Sequence, residues 1–442
     1  MSQRNLLILL MAIAVSYACY VRGEQNPYAR YVAEGLTTID ENALDRVPDR
    51  ELFDGAMRGM VGVLNRHGDQ HSEFLDQEQA DPLRAEIRQQ FGGIGVRLGL
   101  EGEPPRLTII GLPEPGSPAA LENLRSGDRI LSIDGRATDG MKMTEVLNRM
   151  RGLPETKLRL SIQQADDSEP RSVELVRKVI NIESVLGDRR DGEGSWRFQL
   201  EADPRIAHIR IESFGDRTAG ELERVLETVI QHGAKAVVLD LRNNPGGSLD
   251  TAVDVCKMLL PAGKKIVETR GRDQVIREQY SSTEDGQFLG IPMVVLVNQE
   301  TASAAEIVAA CLQDNGRAKV AGQRSYGKGT VQPIFPMQNG KSLLKLTWAS
   351  FWRPSGSKIH RDGNGTEEET WGVVPDAGHE RRLTEQQFEA FLKYRGERDR
   401  IGPAPLENTD AKTEESASVE FVDEQLVRAV KYLKAELDDE TR

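Results

Sequence analysis

Cysteine and histidine are in short supply here, and positive charge is outnumbered by negative. The 442 residues include three cysteines (Cys19, Cys256, Cys311) and six histidines. Three thiols exclude a disulfide framework, and none stands at a metal-ligand spacing. The histidines at 67, 71, 208, 232, 360 and 379 are scattered, with no HExxH, so neither a metal nor a cofactor is expected. Fifty-seven Lys and Arg against seventy Asp and Glu give a formal charge of -13. That argues against a nucleic-acid partner and against general attraction to anionic lipid. A GxxxxGK[ST] phosphate loop and a G-x-S-x-G elbow are both absent. One apolar run stands out, Leu6 to Val15, preceded by Arg4. It has the length of a signal-peptide core, with an uncleaved membrane anchor as the alternative. Ser16-Tyr17-Ala18 before Cys19 is a poor lipoprotein processing site. An exported, periplasmic or extracytoplasmic protein is expected, with residues 1–24 as the signal or anchor.

What remains divides into segments. Residues 25–90 read as helical: Leu52, Met57, Met60, Val61 and Leu64 recur near 3.6-residue spacing. His71-Ser72-Glu73-Phe74 reads as a polar turn. Residues 91–180 read as a β-rich module, with strands at 95–100, 106–111, 129–133 and 157–163 and helices at 117–124 and 144–151. From 181 to 400 strands alternate with helices: strands at 207–211, 236–241 and 292–297, helices at 218–232, 249–260 and 303–312. The runs AVVLDL and PMVVLV suit strands covered on both faces, so a layered α/β core is expected. A charged helix follows at 380–400. Residues 401–419 form an acidic Pro/Glu-rich linker, and 420–442 return to helix through Leu426, Val430, Leu433 and Leu437. Cys256 and Cys311 fall in helical stretches and are expected as buried thiols, a bridge between them being left open.

Three segments hold groups suited to chemistry. Residues 294–312 (VVLVNQETASAAEIVAACL) read as strand, tight turn and helix. Ser303 opens that helix, where a hydroxyl leaves the core and negative charge is favoured. Read alone it is a helix cap, with Glu306 completing a capping box. Residues 324–332 (RSYGKGTVQ) set Lys328 between two glycines, which permit tight backbone geometry. If Thr330-Val331 belong to a strand, Lys328 and Gln332 share one face. A desolvated lysine acts as a base, and Gln332 would orient its amine. Read alone, the GKG is a surface turn. Residues 240–247 (DLRNNPGG) end a strand in a turn whose bare N–H groups meet the requirement of an oxyanion hole. Read alone, it is a plain strand-to-helix turn.

Together, in this order and spacing, LRNNPGG at 241–247, TASAAEI at 301–307 and GKGTVQ at 327–332 resemble the carboxyl-terminal processing peptidases, the tail-specific serine proteases. Leu346-Thr347, Pro354-Ser355-Gly356 with Ile359, and Gly372-Val373-Val374-Pro375-Asp376 add to the resemblance, which spans roughly residues 28–380. Residues 423–433 resemble the family's closing helix. The resemblance implies Ser303 as nucleophile, Lys328 as general base and Gln332 as its orienting partner. It implies oxyanion donors at the N–H of Ala304 and of Gly246 or Gly247, in a ClpP/crotonase-like α/β core. It also implies a PDZ domain, similar here to residues 91–178. Gly93-Ile94-Gly95-Val96 resembles the loop that binds a peptide carboxylate, with Arg97 or Arg129 assisting. Gly116-Ser117-Pro118-Ala119 and the run from Gly127 to Gly135 resemble the PDZ core. Such a domain takes an extended peptide by β-augmentation. C-terminal tails of proteins are therefore the expected partners, cut through an acyl-enzyme at Ser303.

Departures from the family pattern are Cys256 and Cys311 at helix positions, an insertion at 364–371 carrying the sequon Asn364-Gly365-Thr366, and the long 401–419 stretch. Two other functions share pieces of this pattern. One is a catalytically silent PDZ adaptor. The other is an acyl-CoA hydrolase of the crotonase-like fold, which would need a nucleotide pocket that no basic cluster suggests. The N-terminal and last helices lie outside the core and are candidates for a homodimer contact.

Overall fold

Two apolar runs set the architecture. Ala236–Asp240 and Met293–Val297 are buried at every position, as strands are when both faces of a sheet are covered. In this computed structural model they are the centre of a sheet ordered Val185–Leu186, Asp203–Ile211, Ala236–Asp240, Met293–Val297, Lys319–Gly322. The last four strands are parallel. The described residues are 5, 10–17, 26–102, 104–111, 113, 116–164, 169–191, 194–362, 370–399 and 421–439.

Alternation along the strands separates two cores. Ala207, Ile209, Ile211, Val237, Leu239, Met293 and Val295 share a cluster with the helices Thr218–Gln231, Leu249–Leu259 and Ala304–Asp314. Ile206, Ala236, Val238, Val294 and Leu296 meet Leu426, Ala429, Val430 and Leu433 of the helix Glu424–Asp439. The last helix therefore covers the second face of the sheet. Because the strands are parallel, three loops leave neighbouring carboxyl ends: 241–248, 298–303 and 323–329. Sites in open α/β sheets form at that edge.

The β-rich module holds a sheet of Leu98–Glu101, Arg106–Ile109, Arg129–Ile133, Lys157–Gln163 and Arg171–Val176, with the short Arg136–Ala137 beside it. Pro118–Leu121 and Met143–Met150 are its helices. Its core gathers Ile94, Leu107, Ile109, Ile130, Ile133, Val146, Leu158, Leu160 and Ile162. The first strand starts at Leu98 rather than Gly95, because Gly95 turns the backbone to a φ of 75°. Strand Arg171–Val176 was not anticipated.

The chain forms two compact units, one of 1–80 with 332–347 and one of 81–331 with 348–442. In the first, helices Pro27–Asn42 and Asp49–Arg66 precede a strand, Glu73–Leu75, paired with Ser342–Lys345. The expected polar turn at 71–74 is thus partly strand, and Phe74 is buried with Met57 and Val61. Met60 and Leu64, expected on the packed face, are exposed. The 3.6-residue period read there was broader than the stripe that packs. Among the described residues no helix is long and apolar enough to cross a membrane. Cys19, the 401–419 linker and the Asn364 sequon lie outside the described residues. Cys256 and Cys311 are both buried and free.

Candidate active site

The turn after Met293–Val297 is built by short polar side chains. Asn298 N–H donates to Thr301 Oγ1 (2.9 Å), and Thr301 Oγ1 donates across to Leu241 O (2.8 Å). Asn298 and Asn243 bond reciprocally: Asn243 N–H to Asn298 Oδ1 at 3.0 Å, Asn298 Nδ2 to Asn243 Oδ1 at 2.7 Å. Ala302 N–H reaches Asn244 O at 2.9 Å. The 241–247 turn and the Ser303 turn are therefore one braided unit.

Ser303 sits at its apex with φ 56° and ψ -118°. A left-handed backbone on a serine is strained, and such strain gathers at functional sites. It places Ser303 between strand and helix, a strand–turn–helix arrangement of the kind that presents nucleophiles in serine hydrolases. Gly246 lies so close that a β-carbon on it would come within 2.8 Å of Ser303 Cβ and 2.9 Å of Ala304 N.

One expectation changes here. The Gly246 N–H donates to Asn244 Oδ1 at 2.8 Å, so it is already used inside the turn. Among the described residues no protein acceptor faces the N–H of Gly247 or of Ala304. Those two N–H groups stand beside the Ser303 turn, whereas that of Gly246 has its acceptor in Asn244.

Glu306 joins the Ser303 turn to the Lys328 loop. It is fully buried. Its Oε2 accepts the N–H of Ser303 (2.9 Å) and of Lys328 (2.8 Å). Its Oε1 accepts the N–H of Gly327 (2.7 Å) and the hydroxyl of Ser325 (2.5 Å). A single carboxylate oxygen thus fixes the backbone of both Ser303 and Lys328. The capping-box partner read from sequence is also the clamp between the Ser303 turn and the Lys328 loop. Burial pushes the Glu306 carboxyl up to about 7, with the hydrogen bonds from Ser325, Gly327, Ser303 and Lys328 pulling the other way. Lys328 is half-buried, and a β-carbon on the neighbouring Gly329 would lie 2.2 Å from His360 N.

A pH dependence follows with a definite sign. Above about pH 7 Glu306 is ionised and both oxygens accept; below it one oxygen becomes a donor and the four bonds cannot all hold. Activity is therefore expected to fall as pH drops through about 7. Glu306→Gln, with one acceptor oxygen, should lower kcat at pH 8 by about 10- to 100-fold and flatten that step. Kinetics between mildly acidic and alkaline pH test this, and superimposable profiles would rule it out. For stability the sign is reversed. The folded-state value lies above the unperturbed 4.5. The contribution is therefore full below the unfolded value and lost as pH rises through about 7.

The strand after Lys328 is only Thr330–Val331. Lys328 and Gln332 both lie outside it, and Gly327 has a φ of 86°. The shared-face argument for Gln332 therefore falls, because strand alternation does not extend to either residue. Gln332 belongs to the first compact unit, where its Nε2 donates to Thr347 Oγ1 at 3.4 Å and Thr347 Oγ1 donates to Asp69 Oδ1 at 2.7 Å.

In the β-rich module, Gly93 ends the strand Gln90–Gly93, Ile94 is buried, and Ile94 O accepts the N–H of Ala119 at 3.0 Å. Gly95 and Val96 follow as a loop. Arg97 Nη1 donates to Asp399 O at 3.4 Å, and Arg129 begins an inner strand.

The family model for peptidase family S41 matches residues 205–377, and that of a PDZ domain matches 109–164. The carboxy-terminal-processing protease of Bartonella bacilliformis is 31% identical over 442 residues, covering 96% of this chain and 93% of its own length. The chain belongs to peptidase family S41. It is a serine-type peptidase carrying a PDZ domain. A carboxyl-terminal-processing protease of Synechocystis is 34% identical over 332 residues, covering 74% of this chain and 71% of its own length. The solved photosystem II D1 C-terminal processing protease shares 28% identity over 77% of this chain and 84% of that chain, with a TM-score of 0.43.

Sequence reasoning missed one cluster in this S41 core. Asp240 and Arg242 flank Leu241 at the start of the Asn-Pro-Gly-Gly turn. Arg242 Nη2 bonds Asp240 Oδ2 (2.6 Å) and Asp423 Oδ2 (2.8 Å), and its Nη1 bonds Asp423 Oδ1 (2.9 Å) and Gln425 Oε1 (3.0 Å). His208 is fully buried with Asp188 Oδ1 and Asp240 Oδ2 each 3.0 Å from its ring nitrogens. Burial works against ionising Asp240, but Arg242 and His208 outweigh it and hold its carboxyl well below the usual range. The cluster ties the Asn-Pro-Gly-Gly turn to the last helix. Its signal was present: a carboxylate closing the apolar run AVVLD.

Proposed function

We propose that this S41 peptidase trims proteins at their C-termini, with Ser303 attacking the scissile carbonyl and Lys328 taking its proton. The hydroxyl adds to the carbonyl carbon, and the developing oxyanion is received by the N–H groups of Ala304 and Gly247. Lys328 then returns the proton to the departing amine. This leaves an acyl-enzyme on Ser303 that water hydrolyses in a second round of the same chemistry. Gln332 as orienting partner rests on the family resemblance. The observation that carries the assignment is the shared Glu306 carboxylate, which fixes the backbone of Ser303 and Lys328 from one oxygen.

The PDZ domain supplies recognition in this reading. Its Gly93–Val96 loop captures the terminal carboxylate of an extended tail, which adds to the module's edge. Both relatives are carboxyl-terminal-processing proteases by name, and the covered parallel sheet suits a ClpP/crotonase-like core. Export or anchoring through the N-terminal apolar run belongs to the same reading. A homodimer would use the helix Pro27–Asn42, which exposes Tyr28, Tyr31, Val32 and Ile39 along one stripe. A proteome-wide comparison of C-termini between cells holding wild type and Ser303→Ala tests the function. Shortened C-termini on particular exported proteins are expected with wild type alone. Identical C-terminal inventories would sink the assignment.

A further inference from the structure

Two motifs of the sequence still lack a role: the polar turn at 71–74 and Leu346-Thr347. Both lie in the first compact unit, where they meet. The strands Ile334–Met337 and Ser342–Lys345 form a hairpin in which Ile334 faces Lys345. Leu346 N–H reaches Pro333 O at 3.3 Å, so the same register sets Gln332 opposite Thr347. On its other side Ser342–Lys345 pairs with Glu73–Leu75, with Glu73 facing Lys345. The turn before Glu73 therefore runs alongside Thr347.

Asp69 organises that turn. Its Oδ1 accepts the N–H of His71 and of Ser72, each at 3.1 Å, and its Oδ2 accepts the Ser72 hydroxyl at 2.5 Å. Asn65 Nδ2 closes the turn with bonds to Asp69 O (2.6 Å) and Ser72 O (3.1 Å). Thr347 is bound at two points. Its N–H donates to Ser72 Oγ at 2.8 Å, and its hydroxyl donates to Asp69 Oδ1 at 2.7 Å. Burial works against ionising Asp69, but the bonds from Ser72, Thr347 and His71 outweigh it and hold its carboxyl below the usual value. An ionised carboxylate can only accept.

That sets the direction of the next bond. A threonine hydroxyl has a single proton, and Asp69 takes it. Toward Gln332, Thr347 Oγ1 can therefore only accept, and Gln332 Nε2 is the end that donates to it, at 3.4 Å. The amide is left with one orientation, its Oε1 turned away from Thr347 as an acceptor. An acceptor at that end suits a lysine base, whose amine donates its N–H bonds while its lone pair takes a proton.

We propose that Thr347, backed by Asp69, is a positioning residue that sets the Gln332 amide with its carbonyl oxygen as the end serving the Lys328 base. This rests on the orienting role of Gln332 in the function proposed above. The test is the rate at which a fluorophosphonate labels Ser303 in the full chain, read by intact mass, which is independent of the substrate. Thr347→Val keeps the shape and the backbone bond to Ser72 but removes the hydroxyl. It should slow labelling by about 2- to 10-fold. Thr347→Ser, which keeps the hydroxyl, should restore most of the rate. Gln332→Ala should slow labelling at least as much as Thr347→Val. Combining Thr347→Val with Gln332→Ala should slow it no further than Gln332→Ala alone, because both act through one amide. Thr347→Ala takes the place of Thr347→Val if that variant does not fold. A wild-type rate in the Thr347 variant, or two losses that multiply in the double variant as separate structural damage would, overturns the proposal. A wild-type rate in Gln332→Ala would instead overturn the orienting role of Gln332 itself.

Discussion

Replacing Ser303 by alanine is expected to lower kcat for peptide hydrolysis by about ten-thousandfold or more, leaving only background catalysis by the binding site. The substitution is a narrow one. Alanine retains the β-carbon, the strained turn and the N–H that donates to Glu306 Oε2 at 2.9 Å. What goes is the hydroxyl. The helix Ala304–Asp314 is buried from Ala304 to Leu312, so its packing does not depend on that hydroxyl. Thermal unfolding should therefore move little while activity vanishes. Covalent labelling by a fluorophosphonate, read by intact mass, should occur on wild type and be absent from the variant. Hydrolysis near the wild-type rate would remove Ser303 from the mechanism.

Lys328→Ala should cost about a hundred- to ten-thousandfold in kcat, the range for losing a general base. The backbone of residue 328 stays fixed in that variant, because its N–H and not its side chain donates to Glu306 at 2.8 Å. The loop and the Ser303 turn should therefore keep their places, and KM should change far less than kcat. Lys328→Arg should not rescue, since a guanidinium stays protonated and cannot accept the serine proton. Fluorophosphonate labelling should slow in both variants, as Ser303 loses its activating base. Recovery of activity in Lys328→Arg would show that charge alone is needed and would defeat the base assignment.

Both predictions turn on how three distant segments meet. Each had an ordinary reading by itself: a cap for Ser303, a surface turn for Lys328, a strand-to-helix turn for the glycines. Their order and spacing carried the family resemblance. Glu306 was visible only as a cap partner, because nothing local tells a carboxylate that it will be buried beside the N–H groups of residues 327 and 328. Asp240 and Arg242 stood in plain view at the end of AVVLD, but not their pairing, since Asp423 and Gln425 lie far along the chain. Gly246 shows the reverse. Its bare N–H looked free in sequence, but the Asn244 side chain two residues earlier folds back to take it. For Gln332 the alternation argument needed a longer strand than Thr330–Val331 provides.

By itself the sequence determined what local physics can determine. Apolar runs at Ala236–Asp240 and Met293–Val297 demanded a sheet covered on both faces. Periodic helices supplied the cover, and turn residues marked where strands end. Tertiary structure decided the rest. The parallel order Ala236–Asp240, Met293–Val297, Lys319–Gly322 brings three loops to one edge. There a buried carboxylate, shielded from water, selects which backbone groups it will hold. Burial and hydrogen-bond partnership between residues far apart in the chain are properties of that packing, which is why no local pattern announces them.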